Sequence, residues 1–312
     1  MERIKVRSHK AWVQTIILLI FACLSIYPLL YLTCYSLKTN DEIFYSNPFG
    51  LPLHPQWSNY IKAITTFDIM TYFKNSLLTT AIALVGVFIL ILPFSYAVAR
   101  MKWKLKGAAS MFISIGLFIP LQVSLIPLSV LIKNMGLANT HWALILPYIA
   151  FNLAFPFMII SSSFRALPAE LEEAAVIDGA SIYKTFFSIM LPLVKPAITS
   201  GALFATLGIW NEYILPTVMI SSNELKTLPA GLATFVGQHS TSWGAMGAAM
   251  MIASIPTIIL YLCFSDKIEN SLTVGGAAVS YTHLDVYKRQ VLHLDKLYAF
   301  QSQYNNGILS HQ

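Results

Sequence analysis

Chemistry in this chain has to come from scattered groups. It contains no Gly-x-x-x-x-Gly-Lys-Ser/Thr run, the backbone and lysine cradle that a bound nucleotide needs. The histidines before the tail (His9, His54, His141, His239) stand far apart and read as surface or interface residues. No His, Cys or carboxylate group has metal-ligand spacing, and no Ser/His/Asp pattern suits a nucleophile. An enzyme is therefore not expected. The better lead is polar groups inside apolar stretches, because an amide or carboxylate is costly there. Trp210 is followed by Asn211 and Glu212, and Gln122 and Asn152 lie in two other such stretches. If one helix runs on from Pro196, Glu212 lies about 24 Å along it, toward the outer half of a bilayer. These groups could line a translocation path. They could also make helix–helix hydrogen bonds, with Glu212 at the outer interface. Both readings stand for Asn211 and Glu212, while hydrogen bonding is favoured for Gln122 and Asn152.

The elements that would position these groups are apolar. The chain is 56% hydrophobic and only 11% charged, against roughly 25% charged in soluble domains. Apolar runs cover residues 11–37, 75–99, 107–131, 142–164, 196–220 and 244–264, each near the ~20 residues needed to cross a bilayer. The first follows a basic start but is longer than the ~7–15-residue core of a signal peptide. The expected fold is all-α: a polytopic bundle of about six transmembrane helices. An N-terminus in the cytoplasm puts both ends inside. Loops then assigned inside carry Arg3, Lys5, Arg7, Lys10, Arg100, Lys102, Lys104, Lys106, Arg165, Lys184, Lys195 and Lys267. Loops assigned outside carry only Lys38, Lys62, Lys74, Lys133 and Lys226. That asymmetry follows the positive-inside rule and accounts for the net charge of +6 without nucleic acid. Prolines within the runs require neighbouring helices to satisfy the freed carbonyls. The small-residue face from Gly244 to Ala249 suits close helix packing. Cys23, Cys34 and Cys263 read as inert core thiols.

Between the fourth and fifth runs lies a polar stretch, residues 165–195. Pro168, Glu170, Glu172 and Glu173 mark a helix start, where the dipole favours anions. Asp178-Gly179 ends that helix with a residue tolerant of the left-handed conformation. Ser181 can cap a second helix, which Pro192 limits. The spacing predicts helix, glycine turn, helix on the cytoplasmic face. By itself this is compatible with an ordinary interhelical loop.

The same stretch carries Glu173-Ala174-Ala175, three residues, Gly179, nine residues, then Ile189-Met190-Leu191-Pro192, with Asp178 before the glycine. This resembles the cytoplasmic-loop signature of ATP-binding-cassette importer permeases. The resemblance extends to about Val279 and is closest to the carbohydrate-importer branch, in particular the smaller maltose-type permease subunit. Asn75-Ser76-Leu77, Trp210-Asn211-Glu212-Tyr213, Thr227-Leu228-Pro229-Ala230-Gly231-Leu232, Trp243-Gly244-Ala245 and Leu272-Thr273-Val274-Gly275-Gly276-Ala277 support it. It implies a permease core over residues 73–279 with its coupling loop at 165–195, after an N-terminal tail (1–11) and a first span with its outer connector (12–72). The implied partners are a second permease subunit, a cytoplasmic ATPase dimer that binds the ATP, an extracytoplasmic sugar-binding protein and membrane lipid. No cofactor is implied for this chain. Glu173 would contact the ATPase, Ala174 and Ala175 would allow close approach, and Gly179 would make the turn. Asp178, Ile189, Leu191 and Pro192 belong to the same coupling element. The implied location is the bacterial inner membrane. Residues 280–312 depart from the family pattern and are expected to be non-native. A stand-alone secondary transporter or channel is the alternative. It would call for inverted repeats or buried coupling charges, and neither is evident. A membrane anchor for a soluble partner is a third.

Overall fold

The computed structural model describes residues 9–235 and 242–264. Expectations resting on the cations before His9, on His239, on Lys267, on residues 272–277 and on the tail from 280 lie outside the described residues. Among the described residues all regular structure is helical. In chain order the helices are α1 (His9–Ser36), α2 (Ser58–Thr65), α3 (Ile69–Arg100), α4 (Lys106–Ile115), α5 (Leu121–Asn134), α6 (Trp142–Phe151) and α7 (Ala154–Ala166). They continue with α8 (Glu170–Ile177), α9 (Ile182–Leu193), α10 (Lys195–Trp210), α11 (Ile214–Met219), α12 (Leu228–Leu232) and α13 (Trp243–Phe264).

Three helices, α1, α3 and α13, are each long and apolar enough to cross a membrane alone. Six others form three bent pairs: α4 and α5 meet at 106°, α6 and α7 at 41°, α9 and α10 at 73°. The expected third to fifth spans are therefore not straight helices, and six crossings result only when each bent pair counts as one. The causes are local. Ile119 precedes Pro120, whose ring excludes the helical region for the residue before it, and so takes φ −88°, ψ 108°. Asn152 turns its Nδ2 back to the Tyr148 carbonyl at 2.8 Å, in competition with the next helical turn. Pro196, in the first turn of α10, has no N–H with which to continue α9. The fifth run breaks again: α10 stops at Trp210, and α11 is a separate helix. The expected continuous helix from Pro196 to Glu212 is thus not formed.

One apolar cluster unites Val87, Ile91 and Tyr96 of α3 with Phe157, Ile160 and Phe164 of α7 and Phe186 and Met190 of α9. Two others gather the opposite end, one around Trp210, Leu228 and Phe235, the other around Leu144, Ile209 and Leu215. α1 stands almost free along its apolar length. Near its end it meets α13, where Gly247 lies against Tyr35 and Thr33 donates to the Met251 sulfur at 3.7 Å. Small residues let those backbones approach. Cys23 and Cys263 are exposed on helix faces and Cys34 is half-buried, so the thiols are not core residues as expected. An apolar outer face in lipid accepts a thiol as readily as an interior does.

At the end opposite Arg100, amide side chains tie the connectors together. Asn75 Nδ2 donates to the Glu224 and Lys226 carbonyls (2.7 and 3.0 Å), and Ser76 Oγ accepts the Leu228 N–H (2.7 Å). Asn59 Nδ2 donates to the Ser36 and Lys38 carbonyls (both 2.9 Å). Asn139 Oδ1 accepts from the N–H groups of Ser221 and Ser222 (3.1 and 3.0 Å).

Candidate functional site

The polar stretch after α7 folds as its residue types require. Pro168 precedes α8, and Glu170, Glu172 and Glu173 occupy its first turn. At the far end Gly179 N–H donates to the Val176 carbonyl (3.0 Å) and Ala180 N–H to that of Ala175 (2.9 Å). This pair of bonds is the Schellman closure of a helix. Gly179 has φ +72°, with open space where a Cβ would stand. Backbone conformation, not crowding, demands glycine here, and an ordinary residue would cost ~1–2 kcal/mol. Ser181 then caps α9 by accepting the Lys184 N–H at 3.3 Å. Pro192 stands in the last turn of the second helix, which stops one residue later at Leu193. The helix widens to i→i+5 spacing over Thr185–Met190 and continues to Leu193, so the missing N–H of Pro192 falls in its last turn.

One face of α8 is anchored and the other is free. Glu172 points inward: Arg100 Nε and Nη2 both reach its Oε2 at 2.6 Å, and Tyr96 donates to its Oε1 at 2.7 Å. Arg100 also donates from Nη1 to the Leu167 carbonyl (3.0 Å) and from Nη2 to that of Pro168 (3.3 Å). The Tyr96 ring packs on Phe164 and Phe186, at 5.5 and 5.1 Å between centroids. In the sequence Arg100 counts only as an inside cation and Glu172 only as a helix-start anion, and Tyr96 is not singled out there. A signal existed in the i, i+4 pair Tyr96 and Arg100 at the end of an apolar run, but its partner lies 72 positions away.

At 100° per residue, the anchored face places Glu173, Ala174 and Ile177 outward. Glu173, Ala174, Asp178 and Gly179 are exposed. Ala175 is 3% exposed, so its small size serves this chain's own packing while that of Ala174 serves the outside. Val176 and Ile177 are 69% and 85% exposed, and Tyr183 and Phe187 of α9 are also bare. Ile189 and Leu191 pack against the α3–α7–α9 core, whereas Pro192 is exposed. The hairpin thus presents an apolar, acid-edged face on a fixed base.

The polar groups of the apolar runs divide. Glu212 lies between α10 and α11, half-buried, and its carboxylate accepts the N–H groups of Ile214 (3.1 Å) and Leu215 (2.8 Å). It caps α11, where the open N–H groups of a helix start favour an anion. Asn152 sits at the α6–α7 bend, with its Oδ1 against Gly208 of α10. Tyr148, one turn earlier, is 3% exposed, lies within electrostatic reach of Glu212, and its hydroxyl has no hydrogen-bond partner among the described residues. Tyr148 was absent from the sequence reading. Asn211 is exposed and folds its Nδ2 back to Leu207 at 2.9 Å. Gln122 is exposed on the first turn of α5.

Residues 90–274 match the family model described as "Binding-protein-dependent transport system inner membrane component". A diacetylchitobiose uptake system permease protein of Streptomyces coelicolor is 33% identical over 261 residues, covering 83% of this chain and 86% of that protein. A trehalose/maltose transport system permease protein of Thermococcus litoralis is 32% identical over 262 residues, covering 83% of this chain and 93% of that one. Among solved structures, a chain of a bacterial ABC transporter involved in importing the acidic polysaccharide alginate superposes with a TM-score of 0.73. It is 22% identical, and the match covers 85% of this chain and 99% of that one.

Proposed function

This chain belongs to the inner-membrane components of binding-protein-dependent transport systems, and on that premise we propose that it forms half of the pore of an ATP-driven sugar importer. The family is a transporter's membrane component, not a catalytic subunit. ATP is then bound and hydrolysed by a cytoplasmic ATPase dimer, a second permease completes the pore, and an extracytoplasmic binding protein delivers the sugar. This chain needs no cofactor of its own. The end bearing Arg100 and α8 faces the cytoplasm, in line with the cation asymmetry.

The observation that carries this reading is the free face of α8. A short helix, closed by Gly179 and anchored through Glu172, holds Glu173, Ala174, Val176 and Ile177 out from the bundle. Burying Val or Ile in a partner's groove contributes ~1.5–3 kcal/mol for each side chain. Ala174 lets the two backbones approach, and Glu173 adds a charged contact at the edge. When ATP closes the ATPase dimer, the docked helix moves with it and the attached helices switch the pore between its two faces. For the path itself, the half-buried Asn152 and Glu212 offer an amide and a carboxylate beside α10, groups suited to sugar hydroxyls. The relatives' names support sugars as the class, and saccharide size is the variable to assay.

The test is reconstitution in liposomes of this chain with the second permease, the ATPase and the binding protein. ATP-dependent sugar uptake that requires the binding protein is expected. Uptake by this chain alone, driven by an ion gradient, would instead establish a secondary transporter.

A further inference from the structure

We propose that Arg100 is the joint that passes displacement of α8 to α3 and α7, resting on the reading that α8 docks on an ATPase. α8 is joined to α7 only through residues 167–169, where Leu167 leaves the helical region (φ −72°, ψ 141°). A linker of that kind, with a proline at its centre, is a hinge. By itself it would let α8 tilt relative to α7, with only the buried Ala175 and the core-packed α9 opposing the motion from the other side. Arg100 spans this hinge. Its guanidinium donates to both linker carbonyls, Leu167 and Pro168, and grips Glu172 in the first turn of α8. Tyr96 completes the carboxylate's shell and is wedged between Phe164 of α7 and Phe186 of α9. The cation also lies at the C-terminus of α7, where the helix dipole favours it.

The geometry makes α3 the receiving element. Arg100 is its last residue, and the same helix runs without a break to Ile69. At 1.5 Å per residue, Asn75 lies about 38 Å from Arg100 along that rod. Asn75 and Ser76 hold the connector at the opposite end through the carbonyls of Glu224 and Lys226 and the N–H of Leu228. One helix therefore grips the docking hairpin at one end of the molecule and the closing connector at the other. Arg100, Tyr96 and Glu172 are positioning residues. They touch neither ATP nor sugar, and they convert a movable loop into the end of a lever. Lysine cannot replace the guanidinium, because three separate acceptors need its planar fork.

The experiment uses the reconstituted complex and reads sugar taken up per ATP hydrolysed, at matched amounts of assembled transporter. Glu172→Gln and Arg100→Gln are each expected to lower that ratio about tenfold, the factor that loss of one charge-assisted hydrogen bond commands, with the ATPase still co-purifying. The double variant should be no worse than the poorer single one, and Arg100→Lys should fall between. If Arg100→Gln does not assemble, Glu172→Gln and Tyr96→Phe, which keep side-chain shape, decide the matter. An unchanged ratio in those variants would overturn the proposal. So would a proportional loss of uptake and hydrolysis, the mark of a merely structural role. Absence of the ATPase from the wild-type complex would overturn the docking reading and this proposal together, before any variant is compared.

Discussion

The two ends of this molecule are fastened in different ways. At the α8 end one arginine gathers a carboxylate and two carbonyls from separate elements, with a tyrosine hydroxyl beside it. At the opposite end the fastening is spread over separate side chains: the amides of Asn59, Asn75 and Asn139 and the buried charges of Lys38 and Glu42, each bonded to backbone groups. A charge-assisted hub is strong and directional, and it fails as a unit when one member goes. Neutral side chain–backbone bonds contribute ~1 kcal/mol each and fail one at a time. The first arrangement suits an end that is gripped and moved as a rigid piece, the second an end that is held shut.

Gly179→Pro should have the largest effect. Proline fixes φ near −65° where the chain has +72°, and it removes the N–H given to Val176. A cost of about 3 kcal/mol or more is expected to unfold the hairpin, abolish ATPase capture and bring uptake to background. Normal uptake at normal expression would show that the hairpin is not the docking element. Next comes the pair Ala174→Glu and Ala175→Glu. The outward substitution should block ATPase co-purification while stability stays within ~0.5 kcal/mol. The inward one places an unpaired carboxylate at a 3% exposed site and should lower the melting temperature in detergent sharply. The reverse pattern would mean that α8 is rotated. Asn75→Ala leaves the Glu224 and Lys226 carbonyls without their donor, and a loss of ~1–3 kcal/mol in thermal stability is expected with the sugar-to-ATP ratio intact. A changed ratio there would erase the distinction between the two ends. The smallest effect belongs to Ser181→Ala, about 0.5–1 kcal/mol of stability for a cap bond of 3.3 Å.

Local chemistry was the part legible in sequence. The acid-rich start of α8, the Gly179 closure and the Ser181 cap are each decided by residues within a few positions of one another, and so are the apolar runs. The bends were only half legible. Pro120 and Pro196 were visible, but a proline can end a helix, kink it or sit harmlessly in its first turn, and the neighbouring packing decides which. Glu212 illustrates the limit: a continuous helix would set it about 24 Å along, toward the outer half of a bilayer, whereas the break after Trp210 places it between two helices with its carboxylate on the backbone of α11. The Arg100–Glu172 hub was illegible because nothing local records a contact across 72 positions. That Ala174 faces outward and Ala175 inward followed only once Glu172 had fixed which face of α8 is inward.

The docking of α8 on an ATPase can be observed directly. Replacing Cys23, Cys34 and Cys263 by serine leaves a background in which a single cysteine at Ala174, or at Ser222 on the opposite end, carries a thiol-linked photoactivatable benzophenone. In the assembled complex, irradiation is expected to join the Ala174 probe to the ATPase and the Ser222 probe to no cytoplasmic subunit. Equal labelling from both positions, or none from Ala174 in a complex that still hydrolyses ATP, would contradict it.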